Sequence, residues 1–213
     1  ATKSSCPIKR SPSVHVDGCR SEPTCPMKPQ LKRLVILDRD GVINQDSDAY
    51  IKSAEEWLPI PGSLEAISKL SQAGYQVVVC TNQSGIGRGL FDIHTLNTMH
   101  EKMHQLLARL GGEISAVFFC PHIDADHCAC RKPKTGLFLD VIQRFHLDGT
   151  LKGIPVVGDS LRDIAGPSAL GAEPHLVLTG KGTKTREEGG LPPYTAIHAD
   201  LAAFVSHFLQ TTK

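Results

Sequence analysis

In Leu34-Val35-Ile36-Leu37-Asp38-Arg39-Asp40-Gly41, an apolar run leads directly into two carboxylates. An uninterrupted apolar run of this length is typical of a strand buried on both faces of a parallel sheet. Side chains two residues apart on an extended chain point to the same side, so Asp38 and Asp40 should lie together. Buried carboxylates repel each other and need a cation or a shared proton. An ordinary turn after a strand, where Asp and Gly are common, is the alternative.

Short apolar runs alternate with helical patterns along the rest of the chain. Further strands are predicted at Val77–Cys80, Ile114–Cys120, Pro155–Gly158 and His175–Leu178, and helices at Ser63–Ala73, Asp92–Gly111, Gly136–Phe145 and Leu201–Phe208. This alternation predicts an α/β fold, a Rossmann-like parallel sheet with helices on both faces, over residues 31–213. After the first motif, only residues 44–57 intervene before the first helix, which leaves no room for a large cap domain.

Residues 1–30 differ from the rest in composition. They are rich in Pro, Ser, Lys and Arg and have neither a helical nor a strand period, which predicts a disordered extension. A metal-binding tail is the alternative, but the wide spacing of Cys6, Cys19 and Cys25 fits no compact site.

Composition also excludes some classes of partner. A formal net charge of +1 provides no broad basic face, so nucleic acid is not expected as a partner. No apolar run approaches the roughly 20 residues of a membrane helix. The N-terminus lacks the continuous apolar stretch of a secretory signal, so a cytoplasmic location is expected.

Polar residues follow three other predicted strands. Thr81-Asn82-Gln83-Ser84 precedes a glycine-rich stretch that could present O–H and N–H donors to a phosphate. Arg131 and Lys132 would suit an anionic substrate, and Gly158-Asp159-Ser160-Leu161-Arg162-Asp163 adds further carboxylates. Taken singly, each motif has an ordinary explanation. The stretch from Thr81 could be a flexible loop, Arg131 and Lys132 could be solvated surface charges, and Asp159 could be a helix N-cap. Parallel sheets bind ligands beyond the carboxyl ends of their strands, so we expect the groups to meet there.

In this order of motifs, residues 33–180 resemble the haloacid dehalogenase-like phosphatases. The resemblance implies Mg²⁺ held by the carboxylates of Asp38 and Asp159 and the backbone carbonyl of Asp40. It makes Asp38 the nucleophile that becomes an aspartyl phosphate, and Asp40 the general acid and base. Thr81 and Lys132 would stabilise the phosphoryl oxygens. Asp163 is expected to support Lys132 or the metal.

A second metal site is indicated by Cys120, His122, Cys128 and Cys130, which form the pattern C-x-H-x5-C-x-C. Three thiolates and an imidazole can close a tetrahedral structural Zn²⁺ site. His127 is a possible substitute for His122, although it would crowd Cys128. Unrelated buried thiols and a zinc-finger binding module are the alternatives. The zinc loop leads directly into Arg131-Lys132, so a metal there would hold both cations in place.

Within the superfamily, the zinc loop resembles a subgroup that acts on a sugar bisphosphate or on histidinol phosphate. The expected partner is a small-molecule sugar bisphosphate, and the expected form a monomer. The predicted substrate-binding residues are Arg39, Asp46, Ser47, Asp48, Ala49, Asn82, Gln83, Ser84 and Arg131, with Arg131 near a second phosphate. A nucleotide- or metal-binding protein without turnover is the alternative class, but binding alone does not require the acid Asp40.

Overall fold

The computed structural model describes residues 33–212, which belong to one compact unit. The disordered extension predicted for residues 1–30 lies outside the described residues. The strands are β1 Leu34–Leu37, β2 Gln76–Asn82, β3 Ala116–Cys120, β4 Pro155–Gly158, β5 Glu173–Val177 and β6 Ala196–His198. The helices are α1 Ser63–Gln72, α2 Ser84–Gly87, α3 Ile93–Arg109, α4 Gly136–Arg144, α5 Leu161–Ser168, α6 Gly182–Glu188 and α7 Leu201–Thr211.

All six strands are parallel and lie in the order β3-β2-β1-β4-β5-β6. The predicted parallel α/β class is therefore confirmed. The chain reverses its direction of travel across the sheet between β1 and β4, which is where open α/β sheets bind ligands. The residues that follow β1 and β4 are Asp38 and Asp159, so both carboxylates stand at this switch point.

The apolar run of β1 faces two different layers. Val35 and Leu37 pack with residues of α1, α3 and α7, whereas Leu34 and Ile36 pack with residues of α4. Both faces of the strand are buried, which explains why it shows no alternation of apolar and polar residues. Burial of each such side chain contributes roughly 1.5–3 kcal/mol, so β1 is held firmly beneath Asp38.

The helices agree with the predictions in position, with differences at their ends. Asp92 caps α3 by accepting a hydrogen bond from the Thr95 N–H at 2.8 Å, as expected. Leu110, which lies within the predicted helix, follows the last residue of α3 and is 39 % exposed. Three short helices (α2, α5 and α6) and the three-residue strand β6 were not predicted, because each is too short to show a clear period.

The segment between β1 and α1 contains turns and two isolated bridges, Asp40 with Asn44 and Asn44 with Pro59. No separate cap domain stands there, so the edge of the sheet stays open to ligands. Among residues 33–212, no helix is long and apolar enough to cross a membrane.

Candidate active site

A cavity of about 280 Å³ opens at the carboxyl edge of the sheet. Its lining includes most of the predicted site residues: Asp38, Arg39, Asp40, Asp46, Ser47, Asp48, Thr81, Asn82, Gln83, Ser84, Arg131 and Lys132. Arg162, Asp163 and Lys181 line it as well. Ala49 is not part of the lining, and Asp159 lies beneath the surface at 1 % exposure.

Asp38 is buried at the end of β1. Its backbone N–H donates to the Val157 carbonyl at 2.9 Å, which anchors the residue to β4. The Lys132 ammonium lies 2.7 Å from Asp38 Oδ1. Burial and the nearby charge of Asp163 raise the pKa of Asp38 to about 7, although Lys132 opposes the shift.

The Lys132 ammonium contacts three oxygens: Asp38 Oδ1 at 2.7 Å, Asp163 Oδ1 at 2.8 Å and the Cys80 carbonyl at 2.8 Å. Burial alone would lower the pKa of Lys132, but Asp163 and Asp38 outweigh it and raise the pKa. Asp163 in turn accepts hydrogen bonds from the backbone N–H and hydroxyl of Ser160. These contacts agree with the expectation that Asp163 supports Lys132.

Asp159 is held by close backbone packing. Its Oδ2 accepts the Lys181 N–H at 2.7 Å. A Cβ atom on Gly41 or Gly180, both at positive φ, would overlap this same carboxylate oxygen. Burial and the charges of Asp163 and Asp38 raise the pKa of Asp159 to about 8.

Asp38, Asp159 and Asp163 form what we call the acidic cluster, because one oxygen of each lies within 4.8 Å of the others. Within the described part of the chain, the only direct ion pairs of these three buried carboxyl groups are those with the Lys132 ammonium, so their ionised forms would carry an excess of negative charge. The raised pKa values of Asp38 and Asp159 express the same excess. Oxygen donors with this charge fit a hard divalent cation such as Mg²⁺.

Asp40 accepts hydrogen bonds from three side chains. Arg39 and Asn44 donate to Oδ1 at 3.0 and 2.9 Å, and Gln83 donates to Oδ2 at 2.8 Å. Burial would raise the pKa of Asp40, but the Arg39 charge and these hydrogen bonds outweigh it and lower the pKa. Asp40 is therefore a carboxylate at rest and can act as a base at once.

The Arg39 side chain makes most of its contacts with other protein side chains. It is 1 % exposed, and its guanidinium contacts Asp40, Gln83 and the His100 ring, the last at 3.3 Å. Burial and the positive charge of Arg39 lower the pKa of His100 to about 4, so the ring is neutral at neutral pH. Arg39 thus orients Asp40 with most of its guanidinium donors, and the substrate contact expected for it stays a prediction.

The residues at the end of β2 and directly after it have two different roles. Thr81 Oγ1 accepts a hydrogen bond from Gln83 Nε2 at 2.9 Å, which leaves the Thr81 hydroxyl proton available for a phosphate oxygen. Asn82 makes two hydrogen bonds with the backbone of Lys132: its Nδ2 donates to the Lys132 carbonyl, and its Oδ1 accepts a hydrogen bond from the Lys132 N–H. The amides of Asn82 and Gln83 therefore position other site residues, and the substrate contact predicted for them stays a prediction. Ser84 is buried at the start of α2.

The loop of Asp46, Ser47 and Asp48 meets a lysine that sequence reasoning missed. Lys181 Nζ lies 3.0 Å from Asp46 Oδ2 and 3.6 Å from Asp48 Oδ1. Lys181 follows the carboxyl end of β5. Examination of that strand end, as was done for the other strands, could have found it.

Cys120, His122, Cys128 and Cys130 form what we call the thiol cluster. The distances between neighbouring ligand atoms run from 3.3 Å (His122 Nδ1 to Cys130 Sγ) to 3.7 Å (Cys120 Sγ to Cys128 Sγ). A tetrahedral zinc with Zn–S bonds of ~2.3 Å has edges of about 3.8 Å, so the residues fit this metal. His127 is not in the cluster and has a positive φ after a short 3₁₀ turn, which favours His122 as the ligand.

Arg131 lies between the thiol cluster and the cavity. Its Nε donates to Asp124 Oδ1 at 2.6 Å, and its Nη1 donates to the His122 carbonyl at 3.4 Å. The guanidinium is therefore partly used within the loop, although it also lines the cavity as predicted.

Comparison with known proteins agrees with this geometry. The family model for the polynucleotide kinase 3 phosphatase matches residues 33–164, and a HAD-hydrolase-like model matches residues 129–204. The D-glycero-beta-D-manno-heptose-1,7-bisphosphate 7-phosphatase of Bordetella bronchiseptica is 54% identical over 178 residues, 84% of this chain and 98% of that protein. The protein of the same name from Pseudomonas aeruginosa is 50% identical over 179 residues, 84% of this chain and 99% of that protein.

A solved structure is similar as well. The crystal structure of the D,D-heptose 1,7-bisphosphate phosphatase from B. bronchiseptica, complexed with magnesium and phosphate, has a TM-score of 0.83 and 53% identity. The match covers 84% of this chain and 99% of that one. The parallel sheet and the aspartates at its carboxyl edge define a phosphatase of the haloacid dehalogenase-like class. Within this class, the chain belongs to the family of heptose 1,7-bisphosphate 7-phosphatases.

Proposed function

We propose that the protein hydrolyses the 7-phosphate of D-glycero-D-manno-heptose 1,7-bisphosphate through an aspartyl phosphate on Asp38. The observation that carries the mechanism is the position of Asp38, on the cavity wall with one carboxylate oxygen held by Lys132 at 2.7 Å. The names of the similar enzymes support the substrate. Loss of this phosphate would place the reaction on the route to ADP-heptose for the lipopolysaccharide core.

Both metal sites are part of the proposal. The carboxylates of Asp38 and Asp159 and the backbone carbonyl of Asp40 would hold Mg²⁺. Its charge would allow an anionic nucleophile to approach an anionic phosphate ester. The thiol cluster would hold a structural Zn²⁺, whose four protein ligands leave no position for water. The support for zinc is the close approach of three sulfurs and one imidazole nitrogen.

In the first displacement, Asp38 attacks phosphorus and the sugar alkoxide leaves. Lys132 and the Thr81 hydroxyl would hold the phosphoryl oxygens while charge shifts between the attacking and leaving groups. Lys132 is held in position for this contact, because its ammonium binds Asp163 and the Cys80 carbonyl and its backbone is hydrogen-bonded to Asn82.

Asp40 supplies and removes the proton. A sugar alkoxide is a poor leaving group, so Asp40 must protonate it. Without substrate, the pKa of Asp40 is lowered. A bound phosphate would raise the pKa of Asp40, because a nearby negative charge disfavours the ionised carboxylate. After the alkoxide leaves, Asp40 is again a base and takes a proton from the water that attacks the aspartyl phosphate.

Substrate competition tests this proposal. We expect kcat/KM for heptose 1,7-bisphosphate to exceed that for histidinol phosphate by roughly 100-fold or more, the size of a charge-based discrimination in a polar site. Histidinol carries an ammonium group, which Arg131 and Arg162 at the cavity wall would repel. Loss of both activities in the Asp38→Asn variant shows that they belong to this site. Preferred turnover of histidinol phosphate would overturn the assignment.

A further inference from the structure

The active-site cavity is lined by five basic side chains: Arg39, Arg131, Lys132, Arg162 and Lys181. Four of them are paired with carboxylates at 2.6 to 3.0 Å, as described above. Among the residues that the structure describes, no hydrogen bond or ion pair joins Arg162 to another side chain. A cavity cation that no carboxylate contacts directly has its donors free and is the one best able to bind an anionic ligand.

Arg162 stands at a boundary between two spaces. It is the second residue of α5, and its neighbour Asp163 turns inward to Lys132 while Arg162 remains exposed. Beyond it lies a groove of about 430 Å³ that shares Arg162 and Lys181 with the active-site cavity. Lys181 is engaged with the carboxylate of Asp46. The guanidinium of Arg162 is thus open to a ligand group that extends away from Asp38.

The charge around Arg162 keeps it fully cationic. Burial would lower its pKa, but the carboxylates of Asp163, Asp38 and Asp159 outweigh this and raise it. Arg131 is less available, because Asp124 holds its Nε at 2.6 Å.

We propose that Arg162 binds the distal phosphate of the bisphosphorylated sugar and thereby sets the preference for a bisphosphate over a monophosphate. This inference rests on the proposed function and names the residue that recognises the far end of the substrate. The transferred phosphate belongs to Lys132 and Thr81, whereas the distal phosphate lies at the wall between the cavity and the groove. A guanidinium suits it, because two parallel N–H donors match two phosphate oxygens.

Kinetics of Arg162→Gln test the inference on heptose 1,7-bisphosphate and on heptose 7-phosphate, which lacks the distal group. For the bisphosphate we expect KM to rise about 10- to 100-fold with kcat within about 3-fold, as for a lost charge-assisted hydrogen bond. Heptose 7-phosphate should be affected less than about 3-fold. Arg162→Lys should recover part of the loss, and Arg109→Gln, on the exposed end of α3, should change neither substrate.

Binding of the bisphosphate to the Asp38→Asn variant, measured by calorimetry with and without Arg162→Gln, gives a second readout without turnover. A Kd that rises as much as KM supports the inference. Equal losses on both substrates would place Arg162 at the transferred phosphate instead, and no loss on either would remove it from recognition. Both results overturn the inference while the enzyme still hydrolyses the bisphosphate. Failure of the unmodified enzyme to hydrolyse the bisphosphate would instead refute the proposed function.

Discussion

The acidic cluster consists of three buried carboxylates, two of which contact the ammonium of Lys132, whereas in the thiol cluster three sulfurs and one imidazole nitrogen lie together. The first set offers hard oxygen ligands and an excess of negative charge beside a cavity, which fits a cation that retains waters and meets a substrate. The second set offers four soft ligands, enough to close a tetrahedron. Ligand chemistry thus supports the catalytic role proposed for the first cluster and the structural role proposed for the second.

The two clusters are connected by a short piece of chain. Cys130 is a member of the thiol cluster, and Lys132, two residues later, bridges two carboxylates of the acidic cluster. Lys134 returns to the loop, because its Nζ donates to the His127 and Cys128 carbonyls at 3.0 and 2.6 Å. A disturbance of the thiol cluster should therefore reach catalysis through the position of Lys132. The following predictions test this division of labour.

The largest effect is expected for Asp38→Asn. The amide cannot attack phosphorus, so kcat should fall by roughly 10⁴-fold or more while the fold is retained. Steady-state kinetics and circular dichroism of the purified variant check this. Asp148→Asn, at an exposed position outside the cavity, is the matched control and should keep full activity. A folded Asp38→Asn variant with substantial turnover would move the nucleophile elsewhere.

Asp40→Asn should be selective for the leaving group. On the sugar phosphate, kcat should fall roughly 10²–10⁴-fold because no acid protonates the alkoxide. On an aryl phosphate, whose leaving group needs no proton, the loss should be much smaller. The ratio of the two losses, measured at one pH, is the readout. Equal losses would show that Asp40 acts in another way, for example by holding Arg39.

Cys128→Ser tests the supporting role of the thiol cluster. We expect about one zinc per chain in the unmodified protein, clearly less in the variant, and a fall in kcat of roughly 10–100-fold, the range for residues that orient a site indirectly. Cys80→Ala is the control, since Cys80 is buried outside the thiol cluster and should leave the zinc content unchanged. Elemental analysis and kinetics of both variants decide the point. Full activity in zinc-free Cys128→Ser protein would separate the two clusters.

The smallest effect is a pH dependence of stabilisation by Mg²⁺. Asp38 and Asp159 have pKa values raised from 3.8 to about 7 and about 8. Between pH 3.8 and about pH 8 the folded protein binds more protons than the unfolded chain. Without Mg²⁺, its free energy of unfolding therefore falls as the pH rises. The increase in Tm on addition of Mg²⁺ should therefore grow from pH 5.5 to pH 8.

Thermal unfolding with and without Mg²⁺ at each pH checks this dependence. Asp159→Asn should reduce the slope, because one of the two raised carboxyl groups is gone. An increase in Tm that is independent of pH would mean that the acidic cluster does not hold the cation.

The sequence predicted the parts of the site that lie directly at strand ends. Asp38, Thr81 and Asp159 follow or end buried strands, so the position of each along the chain determines its place in the sheet. Side-chain direction was not predictable in the same way. Arg39 turns inward to Asp40 and His100 because burial there is matched by hydrogen bonds, a pairing between β1 and α3 that no local pattern indicates.

The residues that sequence reasoning missed depend on contacts between distant segments. Lys181 reaches Asp46 across 135 positions of the chain, and Arg162 is significant only because other cavity cations are paired. Strand β6, with three residues at the edge of the sheet, carries too little apolar sequence to be recognised. Local sequence places Lys181 and Arg162 after strand ends, but tertiary packing determines which residues they contact, and β6 is too short to show a period.

The stereochemical course at phosphorus tests the central claim most directly. A substrate whose 7-phosphate is replaced by a thiophosphate, made chiral with two oxygen isotopes, is hydrolysed in water of the third isotope, and the configuration of the released inorganic thiophosphate is determined. Attack by Asp38 followed by attack of water gives two in-line displacements. Each displacement inverts the configuration at phosphorus, so we expect net retention. Net inversion would mean that water attacks the substrate directly, and it would contradict the nucleophilic role of Asp38.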